Sequence, residues 1–380
     1  MKLLIFLLSL LLCGCAAAPV EEAAPPTAVP ETTTVPTTQE IPEPTLPPDP
    51  IRQRISAMSL EQRVGQLFLA RCQDALALQD IENYHLGGFV LFGVDFENET
   101  PDSLREKLNA YQATADTPLL IAVDEEGGTV TRVSRYPAFR PQPFPSPREL
   151  FENQGYDAVL DAEAEKAQLL RSLGINVNLA PVCDITTDPG AFMYRRSLGQ
   201  APGTVGRFVV DTVQLLSDWN VGSCLKHFPG YGNHPDTHTG IAVDGRSLEE
   251  LEGCDLVPFR SGIKAGADAI LVSHTIVEAL DEENPASLSP AVHQYLRQEM
   301  GFKGVILTDD LVMQAITDRY GAGEAAVLAV LAGNDLLCAT DYQTQYEAVL
   351  AAVMEGRIDI DTLNNAVRNV LEWKEELGLI

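Results

Sequence analysis

The chain has 380 residues, and its 54 Asp and Glu outnumber its 26 Lys and Arg, which gives a formal charge of −28. Such a surplus of negative charge repels phosphates at long range, and it argues against nucleic acid or an anionic lipid surface as a partner. The five cysteines beyond residue 15 are scattered and odd in number, so they indicate neither a disulfide framework nor a zinc site.

Residues 1–15 have the pattern of a bacterial export signal. An apolar run from Leu3 to Leu12 is too short to span a bilayer, and it ends in a Cys-Gly-Cys segment that resembles a lipoprotein cleavage box with Cys15 as the acylated residue. An ordinary signal peptide, cut near residues 16–18, is the alternative. Residues 16–50 are rich in Pro and Thr and predict a disordered tether. We therefore expect an exported domain that its lipid anchors at the extracellular face of the cell membrane.

Short apolar runs alternate with segments of helical periodicity throughout residues 51–380. The runs are nearly continuous in Val, Ile and Leu, as expected for strands that are covered on both faces. Residues 59–62 have a capping-box pattern, and residues 361–377 predict a closing helix. Eight strand and helix units predict an α/β fold, with a single catalytic domain built as a (β/α)₈ barrel. The predicted strands are residues 65–70, 88–92, 119–123, 175–180, 222–225, 269–272, 305–307 and 335–337.

Ionisable residues follow five of these strands. In a parallel barrel the carboxyl ends of the strands meet at one face, where barrel enzymes bind their substrates. The sequence therefore predicts a polar pocket at this face, although a single residue of this kind often has only a structural role. The residues are Asp124, Asp184, Lys226 with His227, Ser273 with His274, and Asp309 with Asp310.

The loop after the fifth strand contains an Asp-x-His pair, Asp236 and His238. A histidine titrates near neutral pH, and a carboxylate beside it can orient the ring and stabilise the imidazolium, so the pair predicts an acid/base group. The alternatives are a structural pair and a metal site formed by His234 and His238. Because no third ligand converges on these two, we predict no metal.

The motifs resemble those of the family 3 glycoside hydrolases. Lys226-His227-Phe228-Pro229-Gly230, followed by the Asp-x-His pair, resembles the strand-five motif, and Asp309 stands at the nucleophile position after strand seven. The resemblance is to the single-domain β-N-acetylglucosaminidase branch, in which a histidine supported by an aspartate replaces the acid/base carboxylate. It implies that Asp309 is the nucleophile, His238 the acid/base and Asp236 its support, with retention of configuration. Asp310 is the alternative nucleophile.

Further motifs of this resemblance imply contacts with the terminal sugar. Asp124 and Arg132 lie in the strand-three motif, where an aspartate and an arginine hold the terminal sugar, and Arg196 matches the family's substrate arginine. Lys226 and His227 would donate hydrogen bonds to sugar hydroxyls. A salt bridge for Lys226 and a structural imidazole for His227 are the alternatives.

The resemblance covers residues 51–380 and implies a retaining exo-β-N-acetylglucosaminidase. We expect a monomer without metal or organic cofactor, acting on peptidoglycan fragments or related amino-sugar oligosaccharides. A β-glucosidase or β-xylosidase, an N-acetylglucosaminide phosphorylase and a catalytically retired sugar-binding lipoprotein are the alternatives. Tyr231, Asn233 and Thr129 replace the histidine, aspartate and arginine that are frequent in the family, and the loop before the Asp-x-His pair is one residue shorter. These departures leave the sugar subsite and the leaving-group preference open.

Overall fold

A computed structural model describes residues 49–233 and 240–380 of the chain. The predictions for residues 1–48, including lipidation of Cys15, lie outside the described residues, as do those for Asp236 and His238. The strands are β1 (Phe68–Arg71), β2 (Gly88–Leu91), β3 (Leu120–Val123), β4 (Val177–Asn178), β5 (Gly222–Phe228), β6 (Val243–Asp244), β7 (Ala269–Val272), β8 (Ile276–Val277), β9 (Val305–Thr308) and β10 (Leu337–Ala339).

Eight of these strands form a parallel sheet in the order β10-β1-β2-β3-β4-β5-β7-β9, and β6 pairs with β8 in a separate sheet of two strands. The two edge strands, β9 and β10, are joined by a bridge between Leu307 and Leu336, so the sheet curls into a nearly closed barrel. The predicted α/β barrel is confirmed.

The described helices lie mainly between successive strands, and the residues 49–380 that carry them belong to one compact unit. No described helix is both long and apolar enough to cross a membrane. The helices are α1 (Pro50–Ala57), α2 (Leu60–Gly65), α3 (Ala77–Tyr84), α4 (Pro101–Thr114), α5 (Pro147–Gln154), α6 (Tyr156–Leu173), α7 (Pro202–Asp218), α8 (Leu248–Gly253), α9 (Leu256–Ala265), α10 (Pro290–Gln294), α11 (Gln314–Thr317), α12 (Ala322–Ala332), α13 (Tyr342–Met354) and α14 (Ile360–Glu376).

Two helix boundaries show how local sequence determines the ends of these elements. Ser59 caps α2 as predicted, because its hydroxyl accepts the amide of Gln62 while the Gln62 side chain accepts the amide of Ser59. The closing helix α14 begins one residue before the predicted start. Its N-cap is Asp359, whose carboxylate accepts the amide of Thr362 at 2.8 Å.

Strand β4 is much shorter than the predicted run of residues 175–180. The side chain of Asn176 accepts the amide of Ile121 at 2.7 Å, and the side chain of Asn178 accepts the amide of Glu125 at 3.0 Å. Asparagine side chains therefore replace part of the hydrogen-bond ladder between β3 and β4. Strand β5 is longer than predicted and continues to Phe228, with a register shift against β7 near its end.

The core consists of a layer inside the barrel and a layer between the strands and the helices. Leu69, Leu120, Leu271 and Leu307 fill the interior, and Trp373 of α14 belongs to the same buried cluster. The burial of both faces of the strands explains why their sequences are continuous in apolar residues. It also leaves the polar residues at the carboxyl ends of the strands as the lining of the barrel mouth.

Candidate active site

A cleft of about 810 Å³ opens at the carboxyl ends of the barrel strands. Six of the eight predicted catalytic and sugar-binding residues line it. The other two, Asp236 and His238, lie outside the described residues, so their roles stay predictions. The six residues that the structure brings together are Asp124, Arg132, Arg196, Lys226, His227 and Asp309.

Lys226 is a buried cation at the centre of the cleft floor. Its Nζ lies 2.6 Å from an oxygen of Asp124 and 2.6 Å from an oxygen of Glu126, and its side chain is 2% exposed. Burial alone would lower the pKa of Lys226, but the two carboxylates outweigh it and raise the pKa above its usual value. The ammonium group is therefore held in its charged form, with its direction fixed by two acceptors.

Glu126 is the partner of two cations and was not among the predicted site residues. Its carboxylate accepts hydrogen bonds from Nε of Arg196 at 2.9 Å and from Nη2 of Arg196 at 2.7 Å, and it also forms an ion pair with Lys226. Burial would raise the pKa of Glu126, but the charges of Arg196 and Lys226 hold it well below its usual range. Its signal in the sequence is its place in the acidic run that begins at Asp124, and that run does not tell which carboxylate turns inward.

The partners of His227 determine its tautomer. Nδ1 lies 2.8 Å from Oδ2 of Asp184, and Nε2 lies 3.0 Å from Nη2 of Arg196. A carboxylate only accepts and a guanidinium only donates, so the hydrogen-bond network assigns the proton to Nδ1 and makes Nε2 an acceptor. Both ring nitrogens are thus engaged by protein groups, and in this tautomer neither has an N–H left for a sugar hydroxyl. The donation from His227 to a sugar hydroxyl stays a prediction and would need a different protonation of the ring.

Asp124 and Arg132 lie together on the β3 side of the cleft. Nη2 of Arg132 is 3.7 Å from Oδ2 of Asp124, and the guanidinium carbon lies 5.4 Å from the centre of the Phe92 ring. Arg71 stacks on the same ring at 4.1 Å. A carboxylate and a planar set of donors side by side are suited to neighbouring sugar hydroxyls, since one accepts and the other donates.

Asp309 stands at the end of β9, where the sequence predicted the nucleophile. Its amide donates to the carbonyl of Val272 on β7 at 3.0 Å, and the amide of Asp310 donates to Oδ1 of Asp309 at 2.9 Å. Burial raises the pKa of Asp310, although hydrogen bonds from Thr340 and Val312 oppose the shift. The two carboxyl groups therefore have different surroundings, and both line the cleft.

Of the three positions that depart from the family pattern, Tyr231 and Thr129 line the cleft. Tyr231 is buried, with its ring centre 5.6 Å from that of Phe192 and 5.4 Å from that of His227. The side chain of Asn233 accepts the hydroxyl of Thr186 at 2.7 Å, and Thr129 is exposed on the cleft wall. Tyr231 and Thr129 therefore shape the walls of the site, whose ion pairs are formed by other residues.

Outside the cleft, the described residues contain one group with the spacing of metal ligands, Cys72, Asp74 and Asp95. The ammonium of Lys107 lies 2.9 Å from Asp74 and 3.1 Å from the carbonyl oxygen of Asp95. Burial raises the pKa of the Cys72 thiol to about 12. The chain itself therefore supplies a cation, Lys107, to this group of residues.

The comparisons with known proteins agree with this geometry. The model of the glycosyl hydrolase family 3 N terminal domain matches residues 59–373. The chain belongs to this family, which confirms the predicted family and its hydrolase class.

Its relatives are named as hexosaminidases. The chain is 33% identical over 329 residues to Beta-hexosaminidase LpqI of Mycobacterium tuberculosis, which covers 83% of each chain. It is 32% identical over 305 residues to a beta-hexosaminidase of Neisseria gonorrhoeae, covering 77% of this chain and 78% of the relative.

Two solved structures show the same architecture. A glycoside hydrolase family 3 beta-N-acetylglucosaminidase from Paenibacillus sp. str. FPU-7 matches with a TM-score of 0.78 and 33% identity, over 85% of this chain and 63% of that one. The chain therefore spans less than two thirds of the Paenibacillus protein. M. tuberculosis LpqI matches with a TM-score of 0.78 and 30% identity, over 86% of this chain and 96% of that one.

Proposed function

We propose that the protein is a retaining exo-β-N-acetylglucosaminidase that removes terminal non-reducing N-acetylglucosamine. The observation that carries the proposal is the arrangement of charged groups around the cleft. Asp309 follows β9, whereas Asp124 follows β3, and these strands lie on opposite sides of the eight-stranded ring. A sugar between them can present its anomeric carbon to one carboxylate and its hydroxyl groups to the other. The names of the relatives support N-acetylglucosamine as this sugar.

In the proposed reaction, Asp309 attacks the anomeric carbon and forms a glycosyl-enzyme. His238 gives a proton to the leaving oxygen. Water then attacks the anomeric carbon of the glycosyl-enzyme, loses a proton to His238 and releases Asp309, while Asp236 stabilises the imidazolium form of His238. These two roles rest on the sequence motif. On the other side of the sugar, the hydroxyl groups would be held by Asp124, Arg132, Arg196, Lys226 and His227.

We further propose that the natural substrates are peptidoglycan fragments or related amino-sugar oligosaccharides that carry a carboxylate. Support comes from the charge of the cleft, which contrasts with the −28 of the whole chain. Among the described residues that line the cleft, five are cations and three are carboxylates. A cleft with an excess of positive charge concentrates anionic substrates. The cations are Arg71, Arg132, Arg195, Arg196 and Lys226.

The place of action is proposed from the N-terminal sequence alone. The Leu12-Cys13-Gly14-Cys15 segment supports a lipid on Cys15, and the Pro/Thr-rich segment behind it supports a tether. The domain would then work as a monomer at the outer face of the cell membrane.

Hydrolysis of an aryl N-acetyl-β-glucosaminide tests the proposed activity. We expect wild-type turnover with the β-anomer as the first product, and a fall of about 10³-fold or more in kcat for Asp309→Ala and for His238→Ala. Asp318→Ala is the control, because Asp318 is an exposed aspartate outside the cleft lining. Glucoside and xyloside analogues, and added phosphate, separate the other activities of the family. Binding without turnover, or normal turnover in Asp309→Ala, would contradict the proposal.

A further inference from the structure

Backbone and side-chain hydrogen bonds together close the barrel between β9 and β10. At the lower end, the amide of Asp335 donates to the carbonyl of Ile306 at 2.8 Å, and the amide of Thr308 donates to that of Leu336 at 3.2 Å. Above this point a side chain takes over, since the amide of Cys338 donates to the Thr308 hydroxyl at 3.1 Å. The upper part of this seam, next to the proposed nucleophile, is therefore held by the Thr308 side chain as well as by the amide of Leu311, which donates to the carbonyl of Cys338 at 3.3 Å.

The carboxylate of Asp310 connects the two strand ends at the top of the seam. Its Oδ1 accepts the amide of Thr340, just after β10, at 3.2 Å, and the amide of Val312 at the same distance. Its Oδ2 accepts the hydroxyl of Thr340 at 2.5 Å. A short bond from a hydroxyl to a charged acceptor belongs to the stronger class of hydrogen bonds. Asp310 thus fastens the segment after β9 to the segment after β10.

The backbone of Asp310 is held as well. Its amide donates to Oδ1 of Asp309 at 2.9 Å, and its carbonyl accepts Nε2 of His274 at 3.0 Å. His274 is fully buried and its Nδ1 lies 2.7 Å from the hydroxyl of Ser287. Asp310 is therefore fixed at its amide, its carbonyl and its carboxylate, and the amide points at the carboxylate of Asp309.

We propose that Asp310, fastened by Thr340, is a positioning residue that orients the carboxylate of Asp309 for attack. The inference rests on the proposed function, in which Asp309 is the nucleophile. The amide of Asp310 directs Oδ1 of Asp309. Loss of the bond to Thr340 would let the peptide between the two aspartates rotate, and a shift of about 1 Å in a reacting group can cost about 10²-fold in rate.

Two pairs of variants test this role. Thr340→Val removes the hydroxyl but keeps the side-chain shape and the backbone amide, whereas Thr340→Ser keeps the hydroxyl. We expect kcat on an aryl N-acetylglucosaminide to fall about tenfold in Thr340→Val with KM changed by less than about twofold, and to be largely restored in Thr340→Ser. Asp310→Ala should lose about 10²-fold, and Asp310→Asn should lose less because its Oδ1 still accepts the two amides.

Thr344→Val is the matched control. The hydroxyl of Thr344 donates to Asp341 at 2.9 Å on the exposed start of α13, so the variant removes the same kind of bond outside the cleft lining. Its kcat should equal that of the wild type. Because Thr340 itself lines the cleft, a rise in KM with unchanged kcat would indicate a substrate contact and would overturn the positioning role.

The melting temperature of each variant separates folding from orientation. Thr340→Val that melts like the wild type and keeps full kcat would overturn the inference and leave the proposed function standing. An equal loss in Thr340→Ser would overturn it too. If the wild-type protein does not hydrolyse N-acetylglucosaminides, the proposed function fails and this inference fails with it.

Discussion

Replacement of Glu126 by glutamine removes one charge from the centre of the buried network. The carboxylate of Glu126 lies 2.6 Å from Nζ of Lys226 and accepts hydrogen bonds from two nitrogens of Arg196 at 2.9 and 2.7 Å. Glu126 is 3% exposed. The glutamine amide has the same shape, but its NH₂ group is a donor and would face a donor. Lys226 would keep Asp124 as a partner, whereas Arg196 would lose both of its hydrogen bonds to a carboxylate.

The structure sets the size of the expected effect. Removal of one partner from a buried ion pair costs about 3–5 kcal/mol, and we expect the lower end because Lys226 keeps Asp124. Unfolding entropy of about 2.1 cal/mol/K per residue, over roughly 330 folded residues, converts 3 kcal/mol into a fall of about 4 °C in Tm. Since Lys226 and Arg196 also lose their fixed positions, kcat/KM should fall about 10²-fold.

The pH dependence of this loss gives the sharper test. Burial opposes ionisation of Glu126, but Arg196 and Lys226 outweigh it and depress the pKa of the folded state below its ordinary value of 4.5. A carboxylate with a depressed pKa stabilises the fold above its unfolded pKa and loses this contribution as the pH falls toward the folded pKa. Scanning calorimetry should therefore show the full difference in Tm between the wild type and Glu126→Gln at about pH 7, and a smaller difference at about pH 3.5.

Glu163→Gln is the control for this prediction. Glu163 is also buried and lies 2.6 Å from the ammonium of Lys166, outside the cleft lining. Here burial outweighs the attraction of Lys166 and raises the pKa of Glu163. A carboxyl group whose pKa is raised in the fold stabilises the fold more as the pH falls. The difference in Tm between the wild type and Glu163→Gln should therefore widen at low pH. A pH-independent gap for Glu126→Gln, or unchanged kcat/KM, would refute the reasoning.

Two further predictions concern stability away from the cleft. Burial lowers the pKa of Lys374 to about 7, and its ammonium donates to the side-chain oxygen of Gln66 at 2.7 Å. The charged form is disfavoured in the fold, so Lys374→Met should raise Tm most below about pH 7, with no gain left near pH 10.5, as calorimetry would show. A Cβ on Gly262 would lie 2.6 Å from a methyl carbon of Leu225, so Gly262→Ala should cost about 1–3 kcal/mol in urea unfolding. Gly253→Ala, whose Cβ would meet nothing within 4 Å, should be neutral or stabilising.

The barrel and the placement of most charged residues could be predicted because both depend on short-range sequence patterns. A buried strand is recognised as a continuous apolar run, and an ionisable residue near its carboxyl end indicates the barrel mouth, as for Asp124, Lys226 and Asp309. Glu126 could not be assigned in this way. The acidic run that contains it does not tell which carboxylate turns inward, since that choice depends on Lys226, which lies in β5, two places further round the barrel from β3.

The same limit applied to Asp310. Its neighbour in the sequence is the predicted nucleophile, and the chain alone left it as an alternative for that role. The partner that distinguishes it is Thr340, which is 30 residues away along the chain. Pairings across the seam of a barrel depend on register and closure, and no local pattern encodes them.

The two sides of the cleft are built from different kinds of interaction. On the side of β3 to β5, buried ion pairs among Asp124, Glu126, Arg196 and Lys226 fix where the charges lie. On the side of β9 and β10, hydrogen bonds fix the orientation of the peptide and carboxyl groups of Asp310. Charge pairs lose strength when the protonation of one partner changes, whereas a directed hydrogen bond is sensitive to small displacements. Changes on the first side should therefore act on substrate binding and its pH dependence, and changes on the second side on the rate of attack.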